Sequence, residues 1–276
     1  MKKFLYLLIS AFLFFSPVFA GPIHNAVEKG DVKKAVELLD KYDDLKNERN
    51  DYGWTPLHIA ANNKNLTMIR MLLEYEADVN ATANNGQTPL HKACYAGFTK
   101  GALYLIQAGA DVNAKTPNGG TPLMAAAYSG DKQIIYKLVA NGADVNAKNS
   151  SNQTALFVAS ENNKIKAVAG LIDVHANLDA QDSLGRTPLY IAIYKKNVDV
   201  AKLLVQAGAN PNIKNTNGKS PKILAKSMGL TEVFNVEKKT NAKKSSTKKN
   251  TKKNKKKNWG SHNWKGHVFF LIEMEL

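Results

Sequence analysis

The tripeptide Thr55-Pro56-Leu57 fixes most of what this chain can become. It returns in phase as Thr88-Pro89-Leu90, Thr121-Pro122-Leu123, Thr154-Ala155-Leu156, Thr187-Pro188-Leu189 and Ser220-Pro221-Lys222, each copy 33 residues after the last. A fixed period of about 20–50 residues marks a stacked-repeat protein, whose units bury their apolar faces against one another. The hydroxyl residue suits a helix N-cap, because its oxygen can accept a free first-turn N–H. Proline suits the first helical position, where its missing donor costs nothing. Small residues then follow (Ala60, Ala93, Ala126, Ala159 and Ala192), letting one helix approach the next. A second apolar segment comes after, with Met68, Ile69, Leu72 and Leu73 in one unit and Val200, Ala201, Leu203 and Leu204 in another. Spacings of three and four put these on one helix face. Gly109, Gly142 and Gly208 close three of these segments, where a left-handed C-cap is wanted. An extended run and a glycine turn lead to the next Thr.

The motifs Gly86-Gln87-Thr88-Pro89-Leu90-His91 and Gln107-Ala108-Gly109-Ala110-Asp111-Val112-Asn113-Ala114, with their in-phase copies, resemble the ankyrin-repeat family. The resemblance runs from about Ile23 to Val236. It implies an all-α solenoid of stacked helix-turn-helix units joined by β-hairpin loops, with a concave face that grips other proteins. It also implies that His24, His58 and His91, at equivalent positions, tie neighbouring loops together.

The repeat domain is expected over 21–237. Its first unit is irregular: Ile23-His24-Asn25-Ala26 matches Leu57-His58-Ile59-Ala60 at an offset of 34, so one extra residue must lie after Leu39. Five full units begin near Asp51, Asn84, Pro117, Ser150 and Ser183. A capping unit begins at Thr216, with Lys219, Lys222 and Lys226 expected on a polar outer face. The unit from Ser150 departs most. Ala155 replaces Pro, Phe157 replaces His, and His175 replaces the closing Gly, as Glu76 does earlier. It is expected to be the softest unit, with the fastest hydrogen exchange in the stack.

The ends differ from the repeats. Lys2 and Lys3, an apolar run from Phe4 to Phe15 and the small-residue approach Val18-Phe19-Ala20 describe a secretory signal peptide over 1–20, cut after Ala20. That predicts an exported protein, periplasmic or secreted. The Met1-Lys2-Lys3 start and the Lys/Asn-rich composition suggest a bacterial source. Over 238–258, eleven lysines between Lys238 and Lys257 carry most of the formal charge of +15. Like charges with few apolar residues predict disorder there. A short aromatic and apolar end follows over 259–276.

No enzyme motif is present: no phosphate loop, Gly-x-Ser-x-Gly or His-Glu-x-x-His. Catalytic residues, cofactors and metal ligands are therefore not expected. Asp78, Asp111 and Asp144 recur with the period and read as loop-forming. Cys94, the single cysteine, takes the place of a core alanine and reads as a buried small hydrophobe.

What remains is surface. With the family's geometry, two sets of residues line the concave face. The loop tips supply Tyr52, Trp54, Gln87 and Arg186, and the first helices, seven places after Thr, supply Tyr95, Tyr128 and Tyr194. Tyr, Trp and Arg are the residue types enriched at binding hot spots. The expectation is a non-enzymatic, monomeric protein that binds a partner protein on this face. The alternative is a binder of an anionic polymer or a lipid surface through Lys248, Lys249, Lys252, Lys253, Lys255, Lys256 and Lys257, with the repeats as scaffold. Lysine contacts of that kind weaken steeply with salt.

Overall fold

The computed structural model describes residues 21–235. The leader expected over 1–20, the lysine-rich stretch over 238–258 and the apolar end over 259–276 lie outside the described residues, and so do the seven candidate polyanion-binding lysines.

Thirteen α-helices occupy the described residues: α1 (Pro22–Lys29), α2 (Val32–Lys41), α3 (Pro56–Asn62), α4 (Leu66–Glu74), α5 (Pro89–Tyr95), α6 (Thr99–Gln107), α7 (Pro122–Ser129), α8 (Lys132–Ala140), α9 (Ala155–Glu161), α10 (Ile165–Asp173), α11 (Pro188–Tyr194), α12 (Val198–Ala207) and α13 (Pro221–Met228). Short 3₁₀ turns at Asp43–Asn47 and Thr231–Phe234 complete the set. Each of the first six units contributes a helix pair, and the last contributes α13 and the second 3₁₀ turn. The odd-numbered helices stack on one another in one row, and the even-numbered helices stack in a second row behind them. Between the rows runs one apolar core, from Ile23 to Val233.

The local rules read from the sequence operate as expected. The hydroxyls of Thr88, Thr121, Thr154, Thr187 and Ser220 each accept the N–H of the third residue of the helix they cap. Lys219, Lys222 and Lys226 are exposed on the last unit. Asn47 accepts the N–H of Asp78, just as Asn80 accepts that of Asp111 and Asn113 that of Asp144. The 33-residue phase is thus already set at Asn47, and the extra residue of the first unit is absorbed before it, around the end of α2 and the 3₁₀ turn.

The connecting loops are tighter than hairpins with strands. No strand occurs among the described residues. Each tip is a turn closed by a single backbone bond between its ends, such as Ala83 N–H to Gln87 C=O and Thr116 N–H to Gly120 C=O. Successive tips are joined by one bond each: Asn84 to Tyr52, Ser150 to Asn118, Ser183 to Ser151 and Thr216 to Leu184. The row skips the boundary at Pro117, which has no N–H to give. Gly86 must be glycine at that boundary, because φ is +74° and an added Cβ would lie 2.3 Å from the Pro117 ring.

Gly109, Gly142 and Gly208 have φ of 91°, 90° and 100°. Glu76 and His175 adopt the same left-handed backbone, with φ of 59° and 61°. Their N–H groups bond back to Leu73 and Ile172 at 3.0 Å, as Gly109 does to Ile106. The helix ends are therefore undistorted, and the stack absorbs the strain. A left-handed L-residue costs roughly 1–2 kcal/mol, and no atom crowds the Cβ site of Gly109 or Gly142. Replacing His175 or Glu76 by Gly is therefore expected to raise the unfolding free energy by about 1 kcal/mol, measured by denaturant titration. Lowered stability would show that these side chains contribute more than the strain costs.

Candidate interaction surface

The surface begins with the histidines that hold the loop tips in place. Nε2 of His58 lies 2.9 Å from the Gln87 carbonyl and Nε2 of His91 lies 3.2 Å from that of Gly120. A carbonyl only accepts, so Nε2 carries the proton in both. Nδ1 then accepts the backbone N–H of Thr55 at 3.1 Å and of Thr88 at 3.2 Å. Each imidazole thus ties its own helix start to the next loop, as the resemblance implied. Burial pushes the His58 pKa down to about 4 against the opposing pull of the Gln87 bond. Burial lowers that of His91 too.

Asp78, Asp111 and Asp144 are loop-formers: each accepts the N–H two residues on, from Asn80, Asn113 and Asn146. Cys94 is fully buried, and burial drives its thiol pKa far up, which removes its nucleophilic character.

Of the residues expected on the binding face, four tyrosines are exposed: Tyr52, Tyr95, Tyr128 and Tyr194, at 63%, 51%, 41% and 55%. Tyr95 and Tyr128 come from adjacent repeats, and their rings stack at 5.1 Å with an interplanar angle of 10°. The Lys164 ammonium lies 5.9 Å from the Tyr128 ring, extending the stack into a third repeat. Tyr194 stands apart, with Glu161 at the intervening position and Lys195 3.7 Å from that carboxylate.

The tip residues have other work. Trp54 is half-buried against the core, and the Lys92 ammonium sits 3.8 Å over its ring. Arg186 is held by Asp182, through Nε at 2.8 Å, and lies 5.5 Å over the Phe157 ring. The Gln87 side chain accepts from Asn85 at 3.1 Å. Of the seven candidates, Tyr95 and Tyr128 are brought into ring contact with each other, and Tyr52 lies 6.4 Å from Trp54.

A cleft of about 760 Å³ opens beside the Tyr95–Tyr128 stack, lined also by Lys64, Lys132, Lys164 and Lys166. Its one carboxylate, Asp131, is occupied by the N–H groups of Gln133 and Ile134 and by the Thr99 hydroxyl. Lys132 is paired with Asp173 at 2.8 Å. Lys64, Lys164 and Lys166 leave the cleft positive. These lysines escaped the sequence reading. The signal available was a second phased position, Lys64, Gly97, Gly130, Asn163 and Lys196, all with positive φ. Two glycines in that series mark a turn whose flanking residues face the tyrosines. Among the described residues no group of three His, Cys, Asp or Glu could hold a metal ion, and no helix is long and apolar enough to cross a membrane.

Comparison with known proteins gives a consistent match. Family models described as ankyrin repeats fit residues 23–116 and 123–215, and a further one fits 99–139. An ankyrin repeat protein of fowlpox virus is 42% identical over 64 residues, 23% of this chain and 16% of that protein. The 26S proteasome non-ATPase regulatory subunit 10 of Dictyostelium discoideum is 39% identical over 57 residues, 21% of this chain and 25% of that one. The human protein phosphatase 1 regulatory subunit 27 is 40% identical over 60 residues, 22% of this chain and 38% of that one. The matches thus span well under half of these relatives. The crystal structure of the ankyrin repeat domain of Bcl-3 superposes with a TM-score of 0.66 at 27% identity, covering 78% of this chain and 98% of that domain.

Proposed function

Since the chain belongs to the ankyrin repeat family, we propose that it is a non-enzymatic binding module that holds an acidic segment of a partner protein against Tyr95 and Tyr128. Ankyrin repeats are protein-interaction modules in general, and two of the relatives are named as regulatory subunits. The observation that carries the reading is the exposed Tyr95–Tyr128 stack beside a cleft with three lysines free of acidic partners in it. Stacked rings offer a large contact area with few rotors left to freeze, and the lysines select for negative charge. The signal-like first twenty residues support action outside the cytosol, and the Met1-Lys2-Lys3 start supports a bacterial source.

Capture from cell-envelope and medium extracts tests this, with the captured partner then titrated against variants. Tyr95→Ala and Tyr128→Ala are each expected to weaken binding about 30-fold or more, the size of a hot-spot loss. Lys164→Ala should weaken it less, and more so at low salt than at high. Unchanged affinity in both tyrosine variants would remove the stack from the interface. Capture that needs residues 238–257 and disappears in high salt would instead favour the anionic-polymer reading through Lys248 to Lys257.

A further inference from the structure

The first unit departs from its neighbours at one buried spot. His24 is fully buried, and its Nε2 lies 2.9 Å from the Trp54 carbonyl. That carbonyl only accepts, so Nε2 donates to it. In the next two units Nδ1 takes the backbone N–H of the residue three places earlier, Thr55 or Thr88. Three places before His24 stands Gly21, and there Nδ1 has no hydrogen-bond partner. Glu48 Oε2 lies 3.5 Å away instead, also buried and also without a partner. Two buried polar atoms thus face each other, and neither has a hydrogen-bond partner, which costs the desolvation of both.

The Glu48 carboxylate lies directly against Gly21: a Cβ there would come within 2.4 and 2.7 Å of its two oxygens. Backbone N and Cβ sit on the same carbon about 2.5 Å apart. The Gly21 nitrogen is therefore within roughly 5 Å of the carboxylate. Gly21 is also the N-cap of α1, with no side chain to cap it. As an amide, this nitrogen offers one hydrogen; as a free ammonium it would offer three.

We propose that the α-ammonium of Gly21, set free when the leader expected over 1–20 is cut after Ala20, completes this cluster by donating to Glu48 Oε2 and His24 Nδ1. The proposal rests on the export reading above. In the hydrolysis, water gives its hydroxyl to the Ala20 carbonyl carbon and a hydrogen to the Gly21 nitrogen as the C–N bond breaks. The proton of the new Ala20 carboxyl ends on the amine, leaving a carboxylate and an ammonium. The positive end of the α1 dipole disfavours a cation at the N-terminus. The Glu48 charge beside the ammonium offsets this. Cleavage thus brings a donor group to two buried atoms that lack a hydrogen-bond partner.

Thermal unfolding at pH 7 tests the pairing. The chain beginning at Gly21, which keeps every described element, is compared with the same chain preceded by Phe19-Ala20, and with the first chain acetylated at its α-amine. The free-amine chain is expected to melt about 2–4 °C higher than either blocked form. In a Glu48→Gln background the difference should vanish. Equal melting temperatures, or a difference that survives Glu48→Gln, would overturn the pairing. The intact mass of the protein recovered after export tests the scission separately. A terminus at Gly21 supports it, and any other terminus overturns it without touching partner capture by Tyr95 and Tyr128.

Discussion

Phe157→Ala is expected to lower the unfolding free energy by about 3–5 kcal/mol, the range for emptying a buried aromatic site. Phe157 is 1% exposed and is the bulkiest fully buried side chain of the stack. It stands where His58 and His91 tie one unit to the next, so the fourth full unit replaces a polar tie with packing. The Arg186 guanidinium lies over its ring and would lose that support. At about 2–4 °C per kcal/mol, the melting temperature should fall by roughly 6–20 °C. Phe157→His should cost much less. Thr154 supplies the N–H for Nδ1, and the Arg186 carbonyl stands 29 residues on, as Gln87 stands from His58. Thermal melts of the two variants give the comparison. Equal losses would show that the site cannot accept the polar tie.

Acid is expected to weaken the stack through His58. Its neutral form is built into the fold, because Nδ1 must accept the Thr55 N–H. In the unfolded chain an imidazole takes its proton near pH 6.5. In the folded chain burial delays this to about 4. The unfolded state therefore binds more protons between those values. Stability from this group is complete above about pH 6.5, falls as pH drops to about 4, and falls no further below. The loss approaches about 3 kcal/mol. His91 shifts in the same direction and adds to it. Urea midpoints from pH 7.5 to 4 measure the slope, and His58→Gln should flatten it. Parallel curves for wild type and variant would assign the acid sensitivity elsewhere.

Most of the architecture was legible because each rule is local and repeats. Thr or Ser, mostly followed by Pro and Leu, gives a capped helix start, and six copies in phase leave stacking as the way to bury the apolar side chains. Phase gave the equivalent positions of the histidines, and the family resemblance implied their ties. The surface was legible only in part. The side-chain direction of Tyr95 and Tyr128 follows from helix position, which brought them together. The anchor of Arg186 was not legible because it depends on a turn: Asp182 accepts the N–H groups of Leu184 and Arg186 and then holds the guanidinium. The Lys92 contact of Trp54 was not legible either, since Lys92 reaches it from the following repeat. The strandless loops follow from their length, with one closing bond too few for a ladder. Nothing in the sequence shows that Glu48 lies against Gly21, because that contact depends on how the irregular first unit turns back on itself.

The bonds between loop tips carry a consequence for how such a gene can change length. Every tip bond, every histidine tie and every Asn-to-Asp link spans one unit boundary and joins equivalent positions. Excision or duplication of whole periods leaves each acceptor facing an equivalent donor, whereas any other length breaks the bonds at the edited boundary. Removal of residues 117–149 would even set the Ser150 N–H where Pro117 now offers none. The chain is editable in quanta of 33 residues, and recombination between its own repeats is the mutation it tolerates most readily.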